Sequence, residues 1–130
     1  MNLLDENFPE DQRPRLRQWR IPFRQIGHEV GWHGVKDDNV LGLLHRLRRV
    51  TLFTQDQDFF QKELCHPTYC LLYLDVCADD AAEYVRRFLR HPLFDTQAKR
   101  MGVVARAHHE GIEFWQRIRA GRQRANWLES

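Results

Sequence analysis

Two unbroken apolar runs constrain this chain more than any other feature: Val50-Thr51-Leu52-Phe53-Thr54 and Cys70-Leu71-Leu72-Tyr73-Leu74-Asp75-Val76. Neither alternates apolar with polar residues, so each suits a strand covered on both faces, the situation of a parallel sheet flanked by helices. Helical spacing surrounds them. Asp37 to Arg48 carries Val40, Leu41, Leu43, Leu44 and Leu47 on one stripe, with Arg46, Arg48 and Arg49 near its C-terminal end, where cations suit the helix dipole. A later helix opens on Asp80 with Glu83 three residues on, a capping pattern, and ends before Pro92.

The remaining elements follow from punctuation. Leu3-Leu4 reads as a short first strand, and a helix starting near Asp11 tolerates Pro14 in its first turn, with Leu16 and Trp19 on one face. Phe23 to Ile26 reads as a second strand stopped by Gly27, followed by a loop to Lys36. Phe59 to Cys65 makes one or two helical turns closed by His66-Pro67. Met101 to Arg106 and Ile112 to Arg117 flank Glu110-Gly111 as a hairpin with a longer loop, and Arg119 to Ser130 reads as a polar, frayed tail apart from Trp127. The expected fold is α/β with a mostly parallel central sheet and a C-terminal hairpin: residues 1–91 as the core, 92–118 as an extension packed on the same domain, and 119–130 as the tail.

At 130 residues the chain has the length of one domain. It has no apolar run of membrane-spanning length and no secretory leader, so a cytoplasmic protein without a membrane partner is expected. Cys65, Cys70 and Cys77 cannot all pair with one another, and reduced thiols are expected. Only Lys36, Lys62 and Lys99 of the 20 cationic residues are lysine. Arginine's planar fork suits phosphate, although solvated helix faces would also account for it.

Acids gather where strands should hand over to helices: Asp5-Glu6, Asp37-Asp38 and Asp56-Gln57-Asp58. The crevice outside the carboxyl ends of parallel strands is where open α/β sheets bind ligands. Like charges resist shared burial there, and a divalent cation removes the conflict. Magnesium takes one or two carboxylates and leaves the rest of its shell to water and phosphate. Each acid also has a local reading: Asp37 or Asp38 as an N-cap, and Asp56 with Asp58 as the organisers of an Asx turn. Cys65-His66 with Cys70 is half a zinc pattern that no second pair completes.

Leu4-Asp5-Glu6-Asn7-Phe8-Pro9, Gly34-Val35-Lys36-Asp37 with Val40-Leu41, and Thr54-Gln55-Asp56-Gln57-Asp58-Phe59 resemble the serial motifs of the compact PIN-like domain family. The similarity covers most of residues 1–91. It implies a three-layer PIN-like fold and a Mg²⁺- or Mn²⁺-dependent endoribonuclease of toxin–antitoxin type. Asp5, Asp37, Asp56 and Asp58 would then be the catalytic and metal-binding acids, with Glu6 and Asp38 accessory. Arg46, Arg48 and Arg49 are expected on the rim, holding the phosphates of RNA or another single-stranded nucleic acid. The resemblance further implies a small antitoxin-like protein partner and a homodimer. Two positions depart from the pattern. The further helical acid of full-length PIN nucleases has no clear equivalent, Glu6 being the nearest substitute and Glu29 a poorer one, and Gln55 stands where many relatives carry arginine. The alternative reading is a catalytically degenerate PIN-like module that binds nucleic acid or a protein partner.

Overall fold

The computed structural model describes residues 1–31, 34 and 37–127, with Asp37 and Asp38 by backbone alone. Its strands are β1 (Asn2–Leu4), β2 (Arg24–Gln25), β3 (Val50–Thr54), β4 (Tyr69–Leu74), β5 (Val103–His108), β6 (Gly111–Gln116) and β7 (Arg119–Ala125). Its α-helices are α1 (Arg13–Gln18), α2 (Asp37–Leu47), α3 (Ala81–Arg90) and α4 (Gln97–Arg100). All seven strands form one sheet in the order β2-β1-β3-β4-β5-β6-β7.

The pairings from β2 across to β5 are parallel, and β5-β6 and β6-β7 are antiparallel. The sheet is therefore mixed, which corrects the mostly parallel sheet expected from the apolar runs. The difference lies in the C-terminal third. The hairpin turns on His109 and Glu110 alone, because His108 already pairs with Gly111, so the longer loop does not form. The tail is also corrected. Arg119–Ala125 pairs along β6, and Trp127 donates its indole N–H to His108 O at 2.6 Å. An edge strand needs only backbone pairing on one side, and with both its faces largely in solvent it carries no apolar pattern to reveal it.

Strand alternation sends buried side chains to two apolar clusters. Leu4, Phe53, Leu72, Leu74 and Ala105 join Leu16 of α1 and Val85 and Phe88 of α3. Leu3, Leu52, Leu71 and Val104 join Val40, Leu43 and Leu44 of α2. Helices thus flank a sheet whose central strands are buried, as the apolar runs of β3 and β4 require. The expected capping box at α3 does not form: Asp80 makes no side-chain cap bond, and Glu83 pairs with Arg87 instead. The buried Gln12 takes over, its Oε1 accepting from Ala82 N at 3.1 Å. Among the described residues no helix is long and apolar enough to cross a membrane.

Candidate functional site

In the parallel part of the sheet β2 lies on one side of β1 and β3 on the other, so the strand order reverses between β1 and β3. That is the position where doubly wound sheets open a crevice at their carboxyl edge. Asp5 follows β1 and Asp56 follows β3 by two residues. The ladder continues past β1, with Asp5 N donating to Phe53 O at 3.0 Å, so the half-buried Asp5 is held against its neighbour strand.

Thr54 ties the two acids together. Its hydroxyl donates to Asp5 Oδ2 at 2.7 Å, and the same oxygen accepts Asp56 N–H at 3.0 Å. Asp5 Oδ1 accepts from Glu6 N at 2.8 Å. Burial pushes the Asp5 carboxyl above its ordinary range, the Thr54 and Glu6 hydrogen bonds pull it down, and the charges of Asp56 and Glu6 push it up again. Asp5, Asp56 and Glu6 are thus electrostatic neighbours.

The other predicted residues divide. Asp56 is also a turn organiser: its Oδ1 accepts from Asp58 N at 2.9 Å as the cap of the 3₁₀ turn Gln57–Phe59. Asp58 is exposed and lines a neighbouring groove with Tyr73, Asp75 and Arg106, so the structure joins it to Asp56 through backbone and not to Asp5. Both carboxylate oxygens of Glu6 accept from Gly34 N, at 2.8 and 2.9 Å, which holds Gly34 at this edge. Asp37 opens α2, but its side chain and that of Asp38 lie outside the described residues. Glu29 is committed elsewhere, to Arg13 at 3.4 Å and to Gln25 N at 3.0 Å. Gln55 donates to Val76 O at 2.9 Å, linking the loops after β3 and β4.

Arg46, Arg48 and Arg49 do not stand beside these acids. They end α2 and precede β3, whereas Asp56 follows β3. A five-residue strand separates the two ends by roughly 17 Å, so the arginines sit on the amino edge of the sheet and not on the rim expected for them.

Gln25 is a site residue that sequence reasoning passed over. It is 1% exposed, and its amide donates to Asp5 O at 3.1 Å and Glu6 O at 3.3 Å. Among the described residues its Oε1 accepts from no group, which leaves a buried, uncharged oxygen on the side chain that braces the Asp5–Glu6 backbone. An amide between Phe23 and Ile26 in a strand-like run was the only signal.

Among the described residues no three acids, histidines or cysteines are close enough to hold one ion. Asp5 and Asp56 still provide the one or two carboxylates that Mg²⁺ or Mn²⁺ needs, with all-oxygen chemistry suited to a hard cation. The donor set fits such an ion when water and phosphate supply the remaining positions. The fold and this acid pair define an α/β protein with two linked acids at the switch point of its sheet. Comparison of the chain with family models, curated proteins and solved structures gives no match.

Proposed function

We propose that this chain is a PIN-like, metal-dependent nuclease that hydrolyses phosphodiester bonds in RNA. The observation that carries the proposal is the Asp5–Thr54–Asp56 link: two acids brought together at the β1/β3 switch point, one of them half-buried with its pKa raised partly by the other. Such crowding costs stability unless positive charge arrives. Magnesium or manganese would neutralise the scissile phosphate and acidify the attacking water. Asp5 and Asp56 would hold the ion, while Thr54 fixes the direction of Asp5 Oδ2 and Gln25 fixes the backbone at Asp5 and Glu6. The three-layer PIN-like arrangement and an antitoxin-like partner belong to the same proposal, supported by the resemblance of the motifs.

Two observations favour the second reading, a degenerate binding module. Asp58 lines a different groove, and no third acid completes a metal group among the described residues. The two readings part on one experiment. Single-stranded RNA incubated with the protein should be cut in Mg²⁺ or Mn²⁺, spared in EDTA, and spared by Asp5→Asn. Intact RNA under every metal condition, together with salt-dependent RNA binding, selects the binding module.

A further inference from the structure

The amino edge of the sheet carries a second constellation. His45 of α2, His66 and Tyr69 form a ring cluster: the His45 and His66 centroids are 4.3 Å apart and edge-on, and His66 stacks on Tyr69 at 4.9 Å with the planes 10° apart. His66 Nδ1 is occupied by Thr68, whose hydroxyl lies 2.9 Å away. Burial and then His45, Arg117 and Arg48 push the pKa of His66 below the ordinary histidine value.

Open surface continues on both sides of the rings. On one side Arg48, Arg49, Thr68 and Gln97 line a groove of about 510 Å³, and on the other Lys62, Arg117 and Arg119 line one of about 280 Å³. Among the described residues no acid lines either groove. Among the described residues Glu63 lies near Cys65, and Asp95 is paired with Lys99 at 2.7 Å. Arg48 and Arg49 are also consecutive left-handed residues, with φ of 55° and 51°, a costly conformation for arginine. The Met1 amine and the Gln97 amide both donate to Arg49 O, which holds that corner in place.

We propose that this amino-edge band is a docking surface for single-stranded RNA, with Arg48, Arg49 and Arg117 on backbone phosphates and the exposed His45 and half-buried His66 beside the bases, backed by the buried Tyr69. Guanidinium forks match phosphate oxygens in pairs, and flat rings accept bases of any sequence. A single anion would need one pocket, whereas a band extending on both sides of the rings fits a polymer. An acidic peptide would use the cations but leave the rings without a partner. The site lies across the sheet from Asp5 and Asp56, so RNA binding there requires no metal. The inference rests on the RNA half of the function proposed above and is independent of its metal half.

Fluorescence anisotropy with a labelled single-stranded oligoribonucleotide in EDTA tests it, using wild type, Arg117→Gln, Arg48→Asn, the double variant and Arg87→Gln. Asparagine tolerates a left-handed φ and Arg117 is exposed, so Arg48→Asn and Arg117→Gln should fold, with circular dichroism melts as the check. Arg117→Gln and Arg48→Asn should each weaken binding several-fold and the double variant at least about tenfold. The slope of log K against log salt should fall by about 0.7 for each phosphate that the variant no longer neutralises. Arg87→Gln, which removes an exposed cation of α3 paired with Glu83, should bind like wild type. Arg48 and Arg117 variants that bind like wild type overturn the proposal, as does competition by poly-glutamate equal to that of unlabelled RNA, which would mark an acidic protein surface. A wild type that ignores RNA overturns both this surface and the RNA half of the function. Arginine-dependent binding without metal-dependent cleavage leaves the surface standing and removes the nuclease.

Discussion

Thr54 holds Asp5 from the side: its hydroxyl lies 2.7 Å from Asp5 Oδ2 while the same oxygen receives the backbone N–H of Asp56. Thr54 is 0% exposed, so no solvent replaces that hydroxyl if it is removed. Thr54→Val keeps the shape and leaves both Asp5 Oδ2 and Asp56 N without this partner. A buried group that loses its partner costs about 1–3 kcal/mol. Urea denaturation should show a loss of that size, and Thr54→Ser should restore most of it. A neutral Thr54→Val would mean that the two acids are positioned by the strands alone.

The Asp5 carboxyl gives a stability signature with a definite sign. Its folded pKa lies above the ordinary 3.8, so the folded state holds this proton more tightly than the unfolded chain does. The contribution is fully present below that value and is lost as pH rises through the folded pKa. Asp5→Asn, whose side chain can still accept from Thr54, should therefore gain stability relative to wild type as pH increases from about 4 toward neutrality. Denaturation curves for both proteins across that range check it. Parallel curves would remove the claim that Asp5 is held as an uncomfortable anion.

Asp56 separates a metal role from a turn role, because the structure gives it both. Its Oδ1 caps the turn at Asp58, and asparagine can do the same through its amide oxygen. Asp56→Asn should leave the metal-free protein as stable as wild type or more so, by relieving repulsion with Asp5. In wild type, Mg²⁺ or Mn²⁺ at roughly 100 times Kd should add about 2.7 kcal/mol, and Asp56→Asn should lose most of that increment. A thermal melt with and without metal reads both effects. A large loss in the metal-free variant would assign Asp56 to the turn alone.

What the sequence disclosed and concealed follows from where each element meets solvent. Val50–Thr54 is legible to the residue because every side chain in it is buried, and an unbroken apolar run has no other comfortable place. The Asp5 and Asp56 pair is legible for the same reason: each closes a buried strand, and β1 and β3 are adjacent. Gln25 is not legible, since burial of an amide depends on the backbone carbonyls of Asp5 and Glu6, which no pattern announces. Arg48 and Arg49 are legible as the end of a helix, but their distance from the acids appears only once α2 is seen to lead into the start of β3. β7 is concealed most completely, because arginines at Arg119, Arg122 and Arg124 suit a solvated edge strand as well as a loose tail.

The strand nature of β7 can be tested at a distance, through Gly111. Gly111 begins β6 and is buried, and a Cβ placed on it would stand 2.5 Å from Ala125 O, a backbone atom at the end of β7. Backbone cannot swing aside as the tip of a long side chain can, so Gly111→Ala must push β7 away or bend β6. Such overpacking costs about 1–3 kcal/mol. Urea denaturation of Gly111→Ala should show that loss in the full chain. A chain ending at Ile118 lacks the opposing carbonyl and keeps only the strain of placing a side chain at the Gly111 φ of 157°, so there the same substitution should cost less, although shortening should itself destabilise by removing the cover that Ala125 and Trp127 give the core. The coupling between the two changes is the quantity that matters. If Gly111→Ala costs the same in both lengths, Arg119–Ala125 is a tail in solution after all, and the antiparallel half of the sheet ends at β6.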